Sequence, residues 1–318
     1  MSKILLTGIA GFIGCHTAKA LAERGDEVVG VDDFNDYYNP KLKEDRVRAL
    51  LGSNNIKIYR GNVADKELLK KVFLEHKLDK ICHLAAQAGV RYSLEKPEIY
   101  INSNIVGFQN ILDLAREFGA SQLVFASSSS VYGGNKKIPF TETDAVDRPI
   151  SLYAATKKAN ELQAHTYHHL FGLNAIGLRF FTVYGPWGRP DMAYFKFAQN
   201  ILNNRSIEVY NHGQMKRDFT YIDDIVLGII KALNHCQGYE IYNLGNNQPV
   251  ELEKFIQVLE EKLDKKAIKQ YLPLQPGDVE ATYADINKAK EKLDWQPKTS
   301  IEEGLEKFVE WYRDYYSI

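Results

Sequence analysis

The chain has 318 residues, 45% of them apolar and 25% charged, with 40 Lys and Arg against 41 Asp and Glu for a formal net charge of -1. That is the profile of an ordinary soluble globular protein, long enough to bury a full core and to form two lobes. A near-neutral balance argues against a nucleic-acid or acidic-membrane partner, which would select a basic excess, and no apolar run reaches the roughly 20 residues needed to cross a bilayer.

The three cysteines, Cys15, Cys82 and Cys236, are odd in number, far apart and set in apolar stretches. They read as buried thiols in a reducing cytosol rather than as a zinc or disulfide framework. The first residues run straight into a strand and a glycine turn, which leaves no room for a signal peptide. A cytoplasmic location is the expectation.

Residues 3–7 (KILLT) read as a short buried strand, followed by Gly8-Ile9-Ala10-Gly11-Phe12-Ile13-Gly14 and an amphipathic helix to about Arg24. Gly25-Asp26 breaks the chain, and residues 27–31 form a second strand that ends at Asp32-Asp33. Strand–helix alternation then continues: a strand at 56–59, a helix at 66–75, a strand at 80–84, a long helix from about 97 to 117, a strand at 122–126, a helix at 151–169 and a strand at 174–179. Such alternation predicts a Rossmann-type, doubly wound parallel sheet covered on both faces, in an α/β fold. Beyond Phe180 the pattern loosens. Pro186, Gly188 and Pro190 crowd a loop, residues 209–214 read as a hairpin, and an acid-rich helix starts at 221–224. The last third is mostly helical, although residues 240–244 are strand-like and could return to the main sheet. The expected division is a cofactor domain over 1–180 and a smaller C-terminal α/β substrate lobe over 181–318, with 240–245 as the returning segment.

Gly8, Gly11 and Gly14 have the spacing G-x-x-G-x-x-G between a strand and a helix. Glycines there allow a tight turn and let the backbone amides approach a pyrophosphate at the helix N-terminus. Phe12 and Ile13 belong to that turn. Asp32, 18 positions after Gly14, is placed to accept from the adenosine ribose hydroxyls. A carboxylate there repels a 2′-phosphate, so NAD is favoured over NADP. Asn62 and Val63 follow the third strand as adenine-side candidates, and Leu84, Ala85 and Ala86 end the fourth strand toward the nicotinamide.

Tyr153 and Lys157 are one turn apart on the predicted helix, on the same face. A free phenol titrates near 10, and a neighbouring ammonium is expected to favour its phenolate and make it a usable base. The serine run Ser127-Ser128-Ser129-Ser130 supplies hydroxyls for a substrate oxygen. His165, His168 and His169 share a helix without accompanying carboxylate or cysteine ligand spacing, so a solvated or interface face is expected and no metal site. Tyr37-Tyr38 and Tyr315-Tyr316 read as packing and lobe contacts.

The glycine turn, Asp32, the serine run and Tyr153/Lys157, in this order, resemble the extended short-chain dehydrogenase/reductase family over nearly the whole length. Four stretches resemble the UDP-glucuronate 4-epimerases within it: Asp33 to Tyr38 (DFNDYY), Gln87 to Ser93 (QAGVRYS), Ser151 to Glu161 (SLYAATKKANE) and Leu178 to Met192 (LRFFTVYGPWGRPDM). The resemblance implies that Tyr153 is the catalytic base, Lys157 its electrostatic helper and nicotinamide-ribose ligand, and Ser128 the partner hydroxyl on the sugar. It further implies that Arg217 binds the UDP diphosphate, that Asp278 holds the uridine ribose, and that the protein is a homodimer through the helices at about 97–118 and 151–170. Asn62 departs from the family, where Asp is usual.

The implied activity is NAD-dependent C4 epimerisation of UDP-glucuronate to UDP-galacturonate through a 4-keto sugar. Such a ketone is β to the C6 carboxylate and prone to decarboxylation, so the carboxylate needs polar partners. Ser129, Ser130, Thr182 and Arg189 are the candidates. Related 4,6-dehydratases place Asp-Glu, and decarboxylases a Glu, where this chain has Ser129-Ser130. A 4-epimerase of a neutral UDP-sugar (UDP-glucose or UDP-N-acetylglucosamine) and a non-catalytic NAD-sensing protein are the alternatives.

Overall fold

The computed structural model describes residues 1–52, 54–274 and 279–318. In chain order its strands are β1 Lys3–Thr7, β2 Glu27–Asp32, β3 Lys57–Arg60, β4 Lys80–His83, β5 Gln122–Ser128, β6 Asn174–Phe180, β7 Thr182–Tyr184, β8 Ser206–Tyr210, β9 Lys216–Tyr221, β10 Tyr239–Leu244, β11 Pro249–Glu251 and β12 Ile268–Leu272. Seven of them form one sheet in the order β10-β6-β5-β4-β1-β2-β3, and every pairing in it is parallel. Parallel pairing needs crossovers, and the helices that make them cover both faces. In β1 the side chains alternate accordingly: Ile4 and Leu6 enter one buried cluster and Leu5 the other. The chain winds from β1 toward β3, then returns to β4 and winds the other way. Between the carboxyl ends of β1 and β4 the direction reverses, and a crevice opens where such sheets take ligands.

The stretch at 240–244 lies in β10, at the sheet edge beside β6. The remaining strands make a three-stranded sheet, β11-β9-β7, and a two-stranded parallel pair, β12-β8. These sheets line part of the crevice. The hairpin expected at 209–214 does not form. Asn211, His212 and Gly213 all take left-handed backbone angles, and this turn sends β8 to pair with β12 while β9 pairs with β7 and β11.

Two helices differ from expectation. The helix expected over 97–117 is interrupted by a wide π turn, Ile101–Val106, between the helical segments Pro97–Tyr100 and Gly107–Phe118. The extra residue in that turn is accompanied by Asn104, whose side chain bonds backbone outside its own helix, and such insertions recur at functional sites. The helix Pro40–Leu51 was not anticipated, although Asn39 caps it by accepting from Lys41 N and Pro40 occupies its first turn, a legible start signal. No helix among the described residues is long and apolar enough to cross a membrane.

Candidate active site

One cavity of about 860 Å³ occupies the crevice and extends beneath the C-terminal strands. Its wall includes Gly8, Gly11, Phe12, Ile13, Gly14, Asp32, Asn62, Val63 and residues 84–86, and also Ser128, Ser129, Ser130, Tyr153, Lys157, Thr182, Arg189 and Arg217. Asp278 lies outside the described residues. Segments up to 262 positions apart in sequence, Gly8 and Gln270, thus face one space.

At the cofactor end the chain binds itself. Gly11 N donates to Gly8 O at 3.0 Å, and Gly8 takes φ +75 against the backbone of Leu84 and Ala85. A Cβ on Gly14 would stand 2.0 Å from the Gly8 carbonyl oxygen, so no other residue fits there. Gly11 caps the helix Phe12–Glu23 with no side-chain hydrogen bond and no acid in the first turn. An uncapped helix start under a glycine turn suits a pyrophosphate, and the fit to a dinucleotide rests on that cradle. Asp32 is almost fully buried, and its two carboxylate oxygens accept from Ala10 N at 2.9 Å and Phe34 N at 2.8 Å. Burial raises its pKa, against the pull of those amides and of Lys43. Asp32 therefore braces the turn from its place on the cavity wall.

Asn62 donates to Asp33 Oδ2 at 2.9 Å and accepts from Ala64 N at 2.9 Å. One of its two amide N–H donors and one of its two carbonyl lone pairs are thus used within the protein. Lys43 is the residue sequence reasoning missed at this end. It points from the unanticipated helix Pro40–Leu51 into the cavity wall and donates to Asn35 O and Asn35 Oδ1. Behind β4, Thr7 Oγ1 bonds His83 Nδ1 at 2.8 Å and accepts from Ala85 N at 3.2 Å, which fixes the loop at 84–86.

At the other end, β5 runs two residues beyond the expected strand and so carries Ser127 and Ser128 on it. Ser127 turns inward to Glu161 Oε1 at 2.7 Å, and Glu161 holds Arg179 through two bonds of 2.8 and 2.9 Å. That buried pair anchors the serine run to the helix Leu152–Phe171. Ser128 accepts from Ser130 N at 3.1 Å and starts the single turn Ser129–Tyr132. Asn104 joins the same helix to the loop after β4: it accepts from Gln87 N at 2.8 Å and donates to Gln87 O and Thr156 Oγ1, each at 3.0 Å.

Lys157 is buried and donates to Ala126 O at 2.8 Å. Burial brings its pKa down to about 8. Tyr153 departs from expectation in one respect. Burial raises its pKa, and what opposes the rise is first the hydrogen bond with Ser128 and then the positive charge of Arg189. The folded chain by itself does not draw the phenol downward, because desolvation of the phenolate outweighs both.

Arg189 is also placed differently from a free cation. Its Nε donates to Asp191 Oδ1 at 3.0 Å and its Nη2 to Asp191 Oδ2 at 2.5 Å, a two-point ion pair. Tyr37 OH donates to Asp191 Oδ2 at 3.1 Å. Asp191 and Tyr37 were not singled out from sequence as site residues, though both lie in the stretches that carried the family resemblance. Arg46 ties these parts together: it donates to Ala10 O in the glycine turn at 2.5 Å and twice to Trp187 O, at 2.9 and 2.7 Å. A side pocket of about 170 Å³ adjoins the serine run, and Ser129, Ser130, Thr182 and Arg217 line it too.

With glycine cradle, acid, serine, tyrosine and lysine on one cavity, the fold and site define a nucleotide-dependent member of the extended short-chain dehydrogenases/reductases. The chain belongs to the family described as GDP-mannose 4,6 dehydratase, whose model matches residues 5–308. It is 49% identical over 332 aligned positions to UDP-glucuronate 4-epimerase 4 of Arabidopsis thaliana, across 99% of this chain and 76% of that protein. Its fold is similar to that of the UDP-glucuronic acid 4-epimerase from Bacillus cereus in complex with UDP-glucuronic acid and NAD, at TM-score 0.91 and 33% identity over 99% of this chain and 100% of that one. The UDP-glucose 4-epimerase of Thermotoga maritima with UDP-glucose is similar at TM-score 0.91 and 31% identity, covering 99% of each.

Proposed function

We propose that the protein is an NAD-dependent isomerase that interconverts UDP-glucuronate and UDP-galacturonate at C4. The observation that carries the reading is the serine run. Ser129 and Ser130 share the cavity with Tyr153, Thr182 and Arg189, and Asp191, an acid on the same wall, is engaged by Arg189 and Tyr37. Hydroxyls and a guanidinium suit a substrate carboxylate. A serine run without Asp or Glu supplies no group to take the C5 proton or to expel water, which is why epimerisation is favoured over dehydration despite the family's description.

In this reading residues 1–180 bind the cofactor and carry the chemistry, while 181–318 mainly hold the nucleotide sugar. The glycine turn and Asp32 would hold NAD by its pyrophosphate and ribose, with Asn62 and Val63 on the adenine side and residues 84–86 on the nicotinamide side. Bound NAD⁺ would supply the hydride acceptor and donor for sugar C4. Tyr153 takes the 4-hydroxyl proton and gives it back, and Ser128 holds the same oxygen. Lys157, charged at neutral pH, steadies the phenolate during proton transfer and binds the nicotinamide ribose. Between the two transfers the 4-keto sugar turns over, and Ser129, Ser130, Thr182 and Arg189 keep the charge of its carboxylate localised against loss of CO₂. Arg217 binds the diphosphate.

A homodimer through the helices at 97–118 and 151–170 belongs to the same reading. Ile101, Val106 and Leu162, all on those helices, are large apolar side chains left exposed, and light scattering after gel filtration checks it. The reading also puts the protein in the cytoplasm. Chromatography of products after incubation with UDP-glucuronate, with and without added NAD, tests the activity. UDP-galacturonate formed without net NADH supports it, and turnover of UDP-glucose but not of UDP-glucuronate would overturn the uronate assignment.

A further inference from the structure

Asp191 is a carboxylate in a cavity whose proposed substrate brings a carboxylate of its own, and it holds the guanidinium assigned to that group. The ion pair uses two of the five N–H donors of Arg189, and with Tyr37 also within its reach the guanidinium still keeps donors for a second carboxylate. Neither partner is sealed: the side chains remain 24% and 27% exposed, at the cavity wall. Tyr37 OH adds a third bond to Asp191 Oδ2 from across the crevice, and its ring lies beneath the guanidinium, 5.8 Å from centroid to carbon. Tyr37 stands five residues after Asp32, so the loop that follows the cofactor strand reaches the sugar end through this bond.

We propose that Asp191 is a positioning residue that competes with the substrate carboxylate for Arg189, so that the guanidinium passes between the two as the 4-keto sugar turns over. This inference rests on the epimerase reading above. A ring that must offer both faces of C4 to one hydride site has to carry its C6 carboxylate through an arc. A two-point, charge-assisted grip with no competitor resists that motion, since each such bond is worth about 1.5–3 kcal/mol. A resident carboxylate of matching geometry flattens the path, because Arg189 regains from Asp191 what it gives up from the sugar. Tyr37 sets the balance: its hydroxyl occupies part of Oδ2 and weakens the hold of Asp191 on Arg189.

Steady-state kinetics on the full-length, NAD-loaded protein test this with Asp191→Asn, which keeps an acceptor and removes the charge. The expected result for UDP-glucuronate is a KM about tenfold lower together with a kcat about tenfold lower, while the inhibition constant of UDP-glucose stays within about twofold. Tyr37→Phe should move KM the other way, up about threefold, with little loss of kcat. A residue that merely builds the loop would instead raise KM and weaken UDP-glucose alike, and that outcome overturns the proposal. If Asp191→Asn does not fold, Tyr37→Phe decides, and an unchanged or lower KM sinks the idea. Wild-type protein inactive on UDP-glucuronate removes the epimerase reading itself, and the competition with it. Activity on UDP-glucuronate with the wrong signs in the variants removes only the role of Asp191.

Discussion

The two ends of the cavity are built by different means. At the cofactor end, Gly11 bonds Gly8, Asp32 bonds Ala10 and Phe34, and the glycine contacts leave no room for side chains. At the sugar end, Ser128, Tyr153, Tyr37 and the pair Arg189–Asp191 arrive from four separate segments and meet through side-chain contacts that a bound sugar could replace. A rigid cradle fits a cofactor that stays and returns to its starting state. Replaceable partners fit a sugar that has to turn in place.

Replacing the base should separate the two ends most sharply. Tyr153→Phe is expected to lower kcat about 10³-fold, or about 4 kcal/mol, the range of general acid–base catalysis. NAD retained after gel filtration should be unchanged, because the glycine turn is untouched. More than a tenth of the wild-type kcat would place the base elsewhere. Gly14→Ala should do the reverse. Its Cβ meets the Gly8 carbonyl at 2.0 Å, so the helix must withdraw from the turn, at about 3 kcal/mol of stability. Thermal unfolding should show a lowered midpoint that added NAD no longer raises. A normal NAD-induced rise would mean that the turn tolerates the shift.

The same contrast explains what was readable in the sequence. The cofactor end depends on residues close together in the chain, so spacing alone carried Gly8, Gly11, Gly14 and Asp32. The serine run and Tyr153/Lys157 were legible for the same reason, with the family resemblance supplying roles. Lys43 was not, because it depends on the helix Pro40–Leu51, whose Asn39-Pro40 start signal went unread. Arg189 was read as a partner for the substrate carboxylate, and its pairing with Asp191 two residues away went unread, since local order does not reveal which neighbour a loop turns inward. Tyr37 meets Asp191 across 154 positions, and no periodic pattern reports such a contact. The failed hairpin at 209–214 is of this kind too: the turn was visible, but not the different sheets that claim its two arms.

Removing the cation should alter selectivity more than chemistry. Arg189→Ala is expected to raise KM for UDP-glucuronate about 20-fold, close to 2 kcal/mol for a lost charge-assisted contact. A decarboxylated UDP-pentose should appear among the products, and UDP-glucose inhibition should be unaffected. Unchanged kinetics and products would take Arg189 out of the sugar site.

The smaller of the two expected stability effects concerns Lys157, which stands on the cavity wall where the two ends meet. The residue is 2% exposed; its ammonium bonds Ala126 O and pairs with no carboxylate among the described residues, and burial alone accounts for its fall from 10.5 to about 8. Below pH 8 both folded and unfolded chains carry the charge, and only the folded one bears its desolvation, roughly 3 kcal/mol at 1.36 kcal/mol per pKa unit. Lys157→Met removes that cost but leaves Ala126 O without its donor, a loss of about 1 kcal/mol. The variant should therefore be more stable than wild type by about 2 kcal/mol at pH 7, while its kcat falls at least about 100-fold. Between pH 8 and about 10.5 the unfolded wild type keeps a proton that the folded protein has released, so wild-type stability rises there relative to the variant. Urea unfolding of both proteins at pH 7 and 9.5 should show that gap narrowing with pH. A variant less stable than wild type at pH 7 would mean that the ammonium is compensated within the fold, and the strain assigned to this lysine would be wrong.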